Sequence, residues 1–381
     1  MTEKLYWDNP YDTKFDAKII DIDNDGIILD KTLFYPEGGN QASDKGAIIN
    51  QGNTFNVDHV LNKGELIVHH VSEPFGKKLK VGDKITGEID WEYRYGIMRA
   101  HSSQHILSAV FKNLLDIDTI RANISFEDVS IHISRTVSEI ELTNILMQFL
   151  NICTIQNLQF RSKIVRQNEI NELNDRIRGG MTSDTDLRII EIEDYDINCC
   201  GGTHLANSSE VGPVFFYEIK RGNEFKYFVG NKAIKMLSKQ NIGSVSLAGA
   251  LNISVKVLFD TLKNQIFKLR ENNEKLTAKA LELIAISPNA TLKGIKIGLV
   301  SFEVDYKLLL KVFKNFPPGY LLIMQSGNKK LQIISNNDVF NAKEIIDKLI
   351  KKFGGKGGGS PRSAQATLNK EPTDIISELS F

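Results

Sequence analysis

The chain has 381 residues, more than one ordinary domain holds, and its 41% hydrophobic and 25% charged residues are typical of globular proteins. Lys plus Arg and Asp plus Glu both number 47, and this zero net charge excludes nucleic-acid binding through a strong overall positive field. The sequence shows no secretory signal, no apolar run of bilayer length and only three cysteines, so we expect a protein of the reducing cytoplasm.

Residues 1–88 have the pattern of strands joined by turns. Runs rich in β-branched residues alternate with Asp, Asn and Gly, as in FDAKIIDIDNDGIILDKTLFYPEGGN. This pattern predicts a small, mostly antiparallel β-barrel-like domain, either a barrel or a sandwich. Acidic residues outnumber basic ones here, which makes this domain a poor candidate for a main nucleic-acid-binding face.

Residues 89–230 combine helical and strand patterns. YGIMRAHSSQHILSAVFKNLL has helical spacing, and IHISRTVSEIELTNILMQFLNICTI predicts a strand followed by a helix. Ser138 is a suitable N-cap for that second helix, with Glu141 three residues later. FRSKIVR and DLRIIEIED predict further strands, so we expect helices packed on an antiparallel sheet.

Residues 231–286 are predicted to be helical and similar to a coiled coil. Core positions recur in steps of four and three, with one polar residue among them: Val255, Phe259, Leu262, Ile266, Leu269, Asn273, Leu276, Ala280 and Leu283. Such a stripe requires a partner helix without specifying its chain, so packing within the chain and a homodimer are equally open.

Residues 292–381 predict a small separate α/β module. IKIGLVSF, GYLLIMQS and LQIISN have the composition of buried strands, and NAKEIIDKLIKKF that of a helix. Lysines are plentiful in this part of the chain while acids are fewer, so the neutral total conceals a basic C-terminal end. The predicted fold class is therefore α+β multidomain.

The segment GGKGGGSPR is predicted to be a glycine-rich loop within this module, and it contains Lys356, Gly357, Gly358 and Arg362. Glycines allow backbone N–H groups to approach phosphates closely, and the two cations would add attraction, so we favour contact with an RNA backbone. A flexible linker is the alternative. The spacing of a nucleotide-binding P-loop is absent from the sequence.

Two pairs of residues predict a metal site. His101 and His105 lie four residues apart on one face of the predicted helix, and CCGGTH places Cys200 and His204 across two glycines. Three imidazoles and one thiolate are ligands typical of Zn²⁺. Cys200 is preferred to Cys199 because successive side chains of an extended segment point in opposite directions, and its spacing to His204 repeats that of the histidine pair.

These motifs resemble the editing domain shared by alanyl-tRNA synthetases and the free-standing AlaX-type alanyl-tRNA editing proteins. HSSQH and CGGTH correspond to the pattern HxxxH and CxxxH of that family, and FYPEGGNQASDKG corresponds to its FYPEGGGQ segment. Asp90, Arg94, Arg188 and the segment SEVGP also look similar. The glycine-rich tail resembles the DHH-associated domain of the long AlaX proteins, which extends the likeness over nearly the whole chain.

The resemblance implies a deacylase that hydrolyses the ester of tRNA(Ala) mischarged with serine or glycine, with Zn²⁺ as cofactor. Nothing in the sequence resembles an aminoacylation core. Zinc with an open position would activate water, whereas four simultaneous ligands would leave it an orienting role, and the sequence does not choose between them. Among the ligands, His204 is the one that could leave to admit substrate.

The resemblance also implies roles for residues near the ion, and His101 and Cys200 count as catalytic in this sense. Thr32 occupies the place of a family threonine associated with recognition of the seryl hydroxyl, and an ordinary strand residue is the alternative. Gln41 is a candidate donor to the ester carbonyl or the terminal adenosine, with turn packing nearly as favoured. Asn40 replaces the third glycine of the family motif, and asparagine tolerates the left-handed conformation that such a turn requires.

Two other classes of protein are alternatives. A non-catalytic tRNA-binding protein with a structural zinc would bind tRNA tightly without hydrolysing any aminoacyl ester. A phosphodiesterase is disfavoured, because the Asp and His cluster of such enzymes does not occur in the sequence.

Overall fold

A computed structural model describes residues 1–23, 26–71, 78–166, 169, 176–178, 186–300, 304–326, 329–370, 372 and 374–379. It confirms the mixed α+β class. The chain divides into two compact units, Met1–Val245 and Ser246–Phe381.

The described helices and strands are numbered in chain order. The helices are α1 (Trp91–Leu115), α2 (Glu139–Thr154), α3 (Gly230–Ala250), α4 (Leu258–Ile286), α5 (Tyr306–Phe313) and α6 (Ala342–Phe353). The strands are β1 (Glu3–Lys4), β2 (Lys14–Asp23), β3 (Gly26–Leu29), β4 (Lys31–Thr32), β5 (Gly46–Asn50), β6 (Asn53–Lys63), β7 (Leu66–Val71), β8 (Lys84–Ile89), β9 (Thr119–Ser125), β10 (Asp128–Ile133), β11 (Phe160–Val165), β12 (Leu187–Ile192), β13 (Asp196–Cys199), β14 (Val214–Lys220), β15 (Glu224–Val229), β16 (Ala290–Leu292), β17 (Ile295–Val300), β18 (Tyr320–Ser326), β19 (Lys330–Ser335), β20 (Gly355–Ser360) and β21 (Ser363–Leu368).

The N-terminal strands form a closed antiparallel barrel in the order β2-β3-β7-β6-β5-β8. Strand β6 shows how the sequence produces it, because Phe55 and Val57 point inward on alternate positions. A register shift between Val57 and His59 then makes Val60 the next inward residue. The prediction of antiparallel strands in this part of the chain is thus confirmed, and of the two architectures the chain forms the barrel.

Helix α1 lies over a four-stranded antiparallel sheet in the order β14-β15-β10-β9. It begins at Asp90, whose carboxylate accepts the Tyr93 N–H at 3.1 Å, and it ends at Asp116, whose φ of 52° is left-handed. Helix α2 packs beside it and begins with the capping box predicted at Ser138 and Glu141. The prediction of a long helix is confirmed, and α1 is mostly buried between Arg94 and Phe111.

A three-stranded antiparallel sheet in the order β11-β12-β13 completes the first unit. Strand β13 ends at Cys199, so this sheet delivers the segment Cys200–His204 directly from its edge. This placement brings a distant part of the sequence to α1.

The second unit contains a six-stranded sheet in the order β16-β17-β18-β19-β21-β20. Helix α6 packs on β20 and β21 with its apolar face, which includes Ile345, Ile346 and Leu349. The glycine-rich segment, expected to be a loop, is instead the edge strand β20. Its glycines allow close approach of the next strand, because a Cβ at Gly357 would lie 2.3 Å from the carbonyl oxygen of Gln365.

The predicted helical segment consists of α3 and α4, separated by a turn and a short 3₁₀ helix at Val255–Val257. Along α4 only Leu258, Thr277 and Leu281 are buried. Seven of the nine predicted core positions are exposed: Val255, Phe259, Ile266, Leu269, Asn273, Leu276 and Leu283. Within the described ranges no single helix is long and apolar enough to cross a membrane, although Gly230–Ala250 and Val255–Ile286 meet that test as a bent pair.

Candidate metal centre

His101 and His105 lie on the buried face of α1, one helical turn apart. Their ring centroids are 5.0 Å from each other. Both side chains are almost completely buried, at 3% and 4% exposure, because α1 is covered on this side by the segment that follows β13.

That segment supplies Cys200 and His204. The Cys200 sulfur lies 3.4 Å from His101 Nε2 and 3.2 Å from His204 Nε2. The ring of His204 stacks on Phe160, and its Nδ1 lies 3.4 Å from the Ser102 hydroxyl of α1. One ligand atom from each of the four predicted residues lies within 4.8 Å of the others. The structure therefore brings all four together in one cluster.

Two side chains hold the backbone of this segment in place. The Arg188 guanidinium donates to the carbonyl oxygens of Cys200 at 2.8 Å and Gly202 at 2.9 Å. The Trp7 indole N–H donates to the Gly201 carbonyl at 2.8 Å. The segment is thus fixed by the start of the chain and by β12, and its side chains are directed at α1.

Burial sets the protonation states of the cluster. It lowers the pKa of His101 to about 3, and it holds the pKa values of His105 and His204 well below the usual range, aided by the neighbouring imidazoles. Burial also raises the pKa of the Cys200 thiol to about 11. Neutral imidazoles are the form that binds a metal, whereas the thiol must release its proton to do so.

The donor set fits a metal ion. Among the described residues, His105 Nδ1 is one of two buried side-chain nitrogen or oxygen atoms without a hydrogen-bond partner, and it belongs to a cluster member. An orphaned buried imidazole nitrogen beside a thiol and two further imidazoles is explained by coordination. The cluster could therefore hold a metal.

The neighbouring cysteine lies outside the cluster. Cys199, the last residue of β13, pairs with Ile189 in the sheet and is partly exposed to the cleft described next. The alternation of side chains along the strand thus places Cys200, and not Cys199, with the histidines.

A cleft of about 500 Å³ opens onto His101, His105 and Cys200. Its wall includes side chains that the sequence patterns did not single out: Lys4, Tyr6, Trp7, Arg121 and Arg178. They come from separate parts of the chain, so no local motif indicated them. Together they give the cleft cations and aromatic rings near the cluster.

The structure places the two predicted polar residues differently. Gln41 is 1% exposed and its amide oxygen contacts His101 Nδ1 at 2.6 Å, so it lies beside the cluster. Thr32 is fully buried in the barrel and is not among the described residues that line the cleft. Its hydroxyl contacts His69 Nε2 at 2.9 Å and accepts the Phe34 N–H at 3.0 Å.

Asn40, the departure from the family motif, has a φ of 64°. Asparagine adopts this left-handed conformation more readily than most other residues, so the turn forms as expected. Asn40 also lines the cleft.

The predicted RNA-binding residues lie in the second unit. Lys356, Gly357 and Gly358 are part of the edge strand β20, and Lys356 is exposed. Arg362, in the turn that follows, donates to the Asn337 carbonyl and to Asp338 Oδ1, both at 2.7 Å. One of the two predicted cations is therefore already paired with a neighbouring loop.

Comparison with known proteins adds sequence relationships to this geometry. Residues 6–93 match the family described as tRNA synthetases class II (A), and residues 187–224 match the Threonyl and Alanyl tRNA synthetase second additional domain. The chain is 29% identical to the alanyl-tRNA editing protein AlaX-L of Pyrococcus horikoshii, over 99% of this chain and 97% of that protein.

The chain is also similar to ligases. It is 28% identical to the alanine–tRNA ligase of Methanoregula boonei, over 96% of this chain and 41% of the ligase. It is 27% identical to the alanine–tRNA ligase of Sulfurisphaera tokodaii, over 99% of this chain and 43% of the ligase. The chain thus spans about two fifths of the ligases and nearly all of the editing protein.

Proposed function

We propose that this chain, which resembles the AlaX-type alanyl-tRNA editing proteins over nearly its whole length, is a trans-editing hydrolase that deacylates mischarged tRNA(Ala). The observation that carries the proposal is the buried cluster of His101, His105, Cys200 and His204 at the base of a cleft. The similarity to a protein named for alanyl-tRNA editing supports the substrate class.

Zinc is the metal proposed for the cluster, because three imidazoles and one thiolate are ligands it prefers. When bound, it would supply a Lewis acid for ester hydrolysis near neutral pH. His101 and Cys200 act in catalysis by holding that ion beside the cleft. In the protein without metal the raised pKa of Cys200 keeps its thiol protonated at neutral pH, which disfavours a role as a free nucleophile.

The cleft is proposed to receive the acylated end of the tRNA. Lys4 and Arg121 provide positive charge for phosphates, and Trp7 provides a ring for a base, whereas Arg178 is already paired with Asp196 at 2.9 Å. An aminoacyl ester at the ribose would then reach the cluster while the rest of the nucleotide stays at the rim. These side chains bind and orient substrate.

Serine is the proposed amino acid, with glycine second. Since the Thr32 hydroxyl already donates to His69 and accepts the Phe34 N–H, direct recognition of the seryl hydroxyl would use its remaining lone pair, as an acceptor. Thr32→Val tests this role: direct recognition predicts loss of the preference for Ser-tRNA(Ala) over Ala-tRNA(Ala). A role confined to the barrel predicts lower stability with the preference unchanged.

Further proposals concern the rest of the molecule. The second unit is proposed to contact the tRNA backbone through the segment of Lys356, Gly357, Gly358 and Arg362. The exposed apolar stripe of α4 is proposed to pair with a second copy of the chain. The cytoplasm is the proposed location, where aminoacyl-tRNA is available.

A deacylation assay on Ser-, Gly- and Ala-tRNA(Ala) tests the function. We expect fast hydrolysis of the seryl ester, slower hydrolysis of the glycyl ester and little of the alanyl ester. Tight tRNA binding with no hydrolysis of any ester would instead identify a non-catalytic tRNA-binding protein with a structural metal.

A further inference from the structure

The Gln41 side chain lies between α1 and the segment that carries Cys200 and His204. Its amide oxygen is 2.6 Å from His101 Nδ1 and 3.2 Å from the backbone nitrogen of Thr203. Its amide nitrogen is 3.0 Å from the Thr203 hydroxyl oxygen. Gln41 and Thr203 are both almost completely buried, so water does not compete for these groups.

The backbone of Thr203 determines which way the amide faces. A backbone N–H can only donate, so the Gln41 atom that it meets is the carbonyl oxygen. The Gln41 amide nitrogen then donates to the Thr203 hydroxyl. The orientation of the Gln41 amide thus follows from the Thr203 N–H, which can act only as a donor.

The orientation of the amide determines the tautomer of His101. Since Gln41 Oε1 is an acceptor, His101 Nδ1 must carry the hydrogen and donate it. The other nitrogen, Nε2, then has its lone pair free and points to the Cys200 sulfur 3.4 Å away. Nε2 is the atom that a metal in the cluster would use.

The space around this arrangement is reserved by Gly202. A Cβ at this position would lie 2.3 Å from His101 Cε1 and 2.5 Å from Gln41 Oε1. Any side chain here would separate the glutamine from the imidazole. The second glycine of CGGTH therefore leaves the space in which Gln41 contacts His101.

We propose that Gln41 is a positioning residue that fixes the metal-binding tautomer of His101, and that it does not contact the ester. The inference rests on the proposed function only in that both use the same cluster. It replaces the role in substrate binding expected for Gln41 from the sequence. Its contribution is made before substrate arrives and is therefore measurable without tRNA.

The test measures the affinity of the full-length protein for Zn²⁺ by competition with a chromophoric chelator. Gln41→Leu removes the acceptor, and we expect affinity to fall about 10- to 100-fold, as for other partners of metal-bound histidines. Gln41→Glu keeps an acceptor oxygen at the same place, and we expect it to retain the wild-type affinity or exceed it. Gln332→Leu, which replaces a buried glutamine of the second unit, is the matched control and should leave the affinity for Zn²⁺ unchanged.

Equal zinc affinity in wild type, Gln41→Leu and Gln41→Glu would overturn the proposal. So would equal loss of affinity in the two Gln41 variants, because the amide as such, and not its acceptor oxygen, would then be required. Should Gln41→Leu fail to fold, the tautomer of His101 in the wild type still tests the proposal through the following measurement.

¹⁵N NMR of histidine-labelled, metal-free protein reports the tautomer directly. We expect His101 of the wild type to carry its hydrogen on Nδ1 alone, and an Nε2–H tautomer would contradict the proposal. A protein that shows this tautomer and binds zinc, yet hydrolyses no aminoacyl ester, would refute the proposed function and leave this inference standing.

Discussion

At the scale of single residues, Arg94 connects the parts of the chain that surround the cluster. Its guanidinium donates to Asp44 Oδ1 at 2.7 Å and to the carbonyl oxygens of Leu33 at 2.5 Å and Pro10 at 3.0 Å. Asp44 in turn accepts the Tyr35 N–H at 2.6 Å, at the start of the turn that carries Gln41. A fully buried ion pair thus fixes α1 to the barrel.

Replacing Arg94 tests how much this ion pair contributes to stability. Arg94→Met leaves the Asp44 carboxylate buried without its cation, and we expect the free energy of unfolding to fall by about 3–5 kcal/mol. Urea unfolding followed by tryptophan fluorescence measures it, because the two tryptophans, Trp7 and Trp91, both lie in the first unit.

Lys14→Met provides the control within the same barrel. It breaks an exposed pair, Lys14 Nζ to Glu88 Oε1 at 3.1 Å, and we expect a loss below about 1 kcal/mol. A similar decrease in the free energy of unfolding in the two variants would show that the buried Arg94–Asp44 pair matters no more to stability than an exposed pair.

At the scale of elements, β7 brings an ionisable side chain into the barrel interior. His69 is fully buried, its Nδ1–H donates to the Ile27 carbonyl at 3.1 Å, and its Nε2 accepts the Thr32 hydroxyl at 2.9 Å. Burial lowers the pKa of His69 to about 4. The barrel is therefore built around a neutral imidazole.

This makes the barrel sensitive to acid. In the unfolded chain a histidine titrates with a pKa of about 6.5, so between about pH 6.5 and 4 the unfolded state binds more protons than the folded state. The free energy of unfolding is expected to decrease by up to about 3 kcal/mol as the pH falls through that range. Urea unfolding of zinc-loaded protein across this range measures the slope.

His69→Asn is the comparison for that slope. The variant is less stable overall but lacks the titrating group, so its free energy of unfolding should depend less steeply on pH than that of the wild type. Parallel pH profiles for both proteins would assign the acid sensitivity to other groups.

The elements differ in how far the sequence predicts them. Helix α1 and the capping box at Ser138 are confirmed because their signals are local: apolar spacing, and a serine with glutamate three residues later. The prediction of a glycine-rich loop is wrong, since the segment forms strand β20. Glycine has low β-propensity, so the strand becomes evident only from its pairing with β21.

The candidate site also contains residues that local patterns predict and residues that only tertiary packing brings together. The four cluster residues could be predicted because each pair has a recognisable spacing and residue type. The orientation of Gln41 could not, since it depends on the backbone N–H of Thr203, which is 162 residues away in the chain. Arg121 and Arg178 reach the cleft only through tertiary packing, so no pattern in the chain indicated them.

At the scale of the whole molecule, all residues of the cluster and their hydrogen-bond partners belong to the unit Met1–Val245. The predicted subdivision into domains at residues 88, 230 and 286 is finer than these two units and stays a prediction. What the division implies is that the metal centre is complete without the second unit.

A chain shortened after Asn252, just beyond the end of α3, tests this independence. We expect it to bind Zn²⁺ with unchanged affinity and to unfold, by tryptophan fluorescence, at the urea concentration of the full chain. If the basic second unit contacts RNA, the Km for Ser-tRNA(Ala) should rise while kcat is retained. Loss of zinc binding in a folded short chain would contradict the expectation.

The central claim is that the cluster is a metal centre on which ester hydrolysis depends, and one measurement addresses it most directly. The rate of Ser-tRNA(Ala) deacylation should be compared for the zinc-loaded protein, the same protein stripped with a chelator, the stripped protein restored with zinc, and Cys200→Ala. We predict that stripping abolishes the rate, that zinc restores it, and that Cys200→Ala remains inactive with zinc present. Full activity in both the stripped protein and Cys200→Ala would contradict the claim.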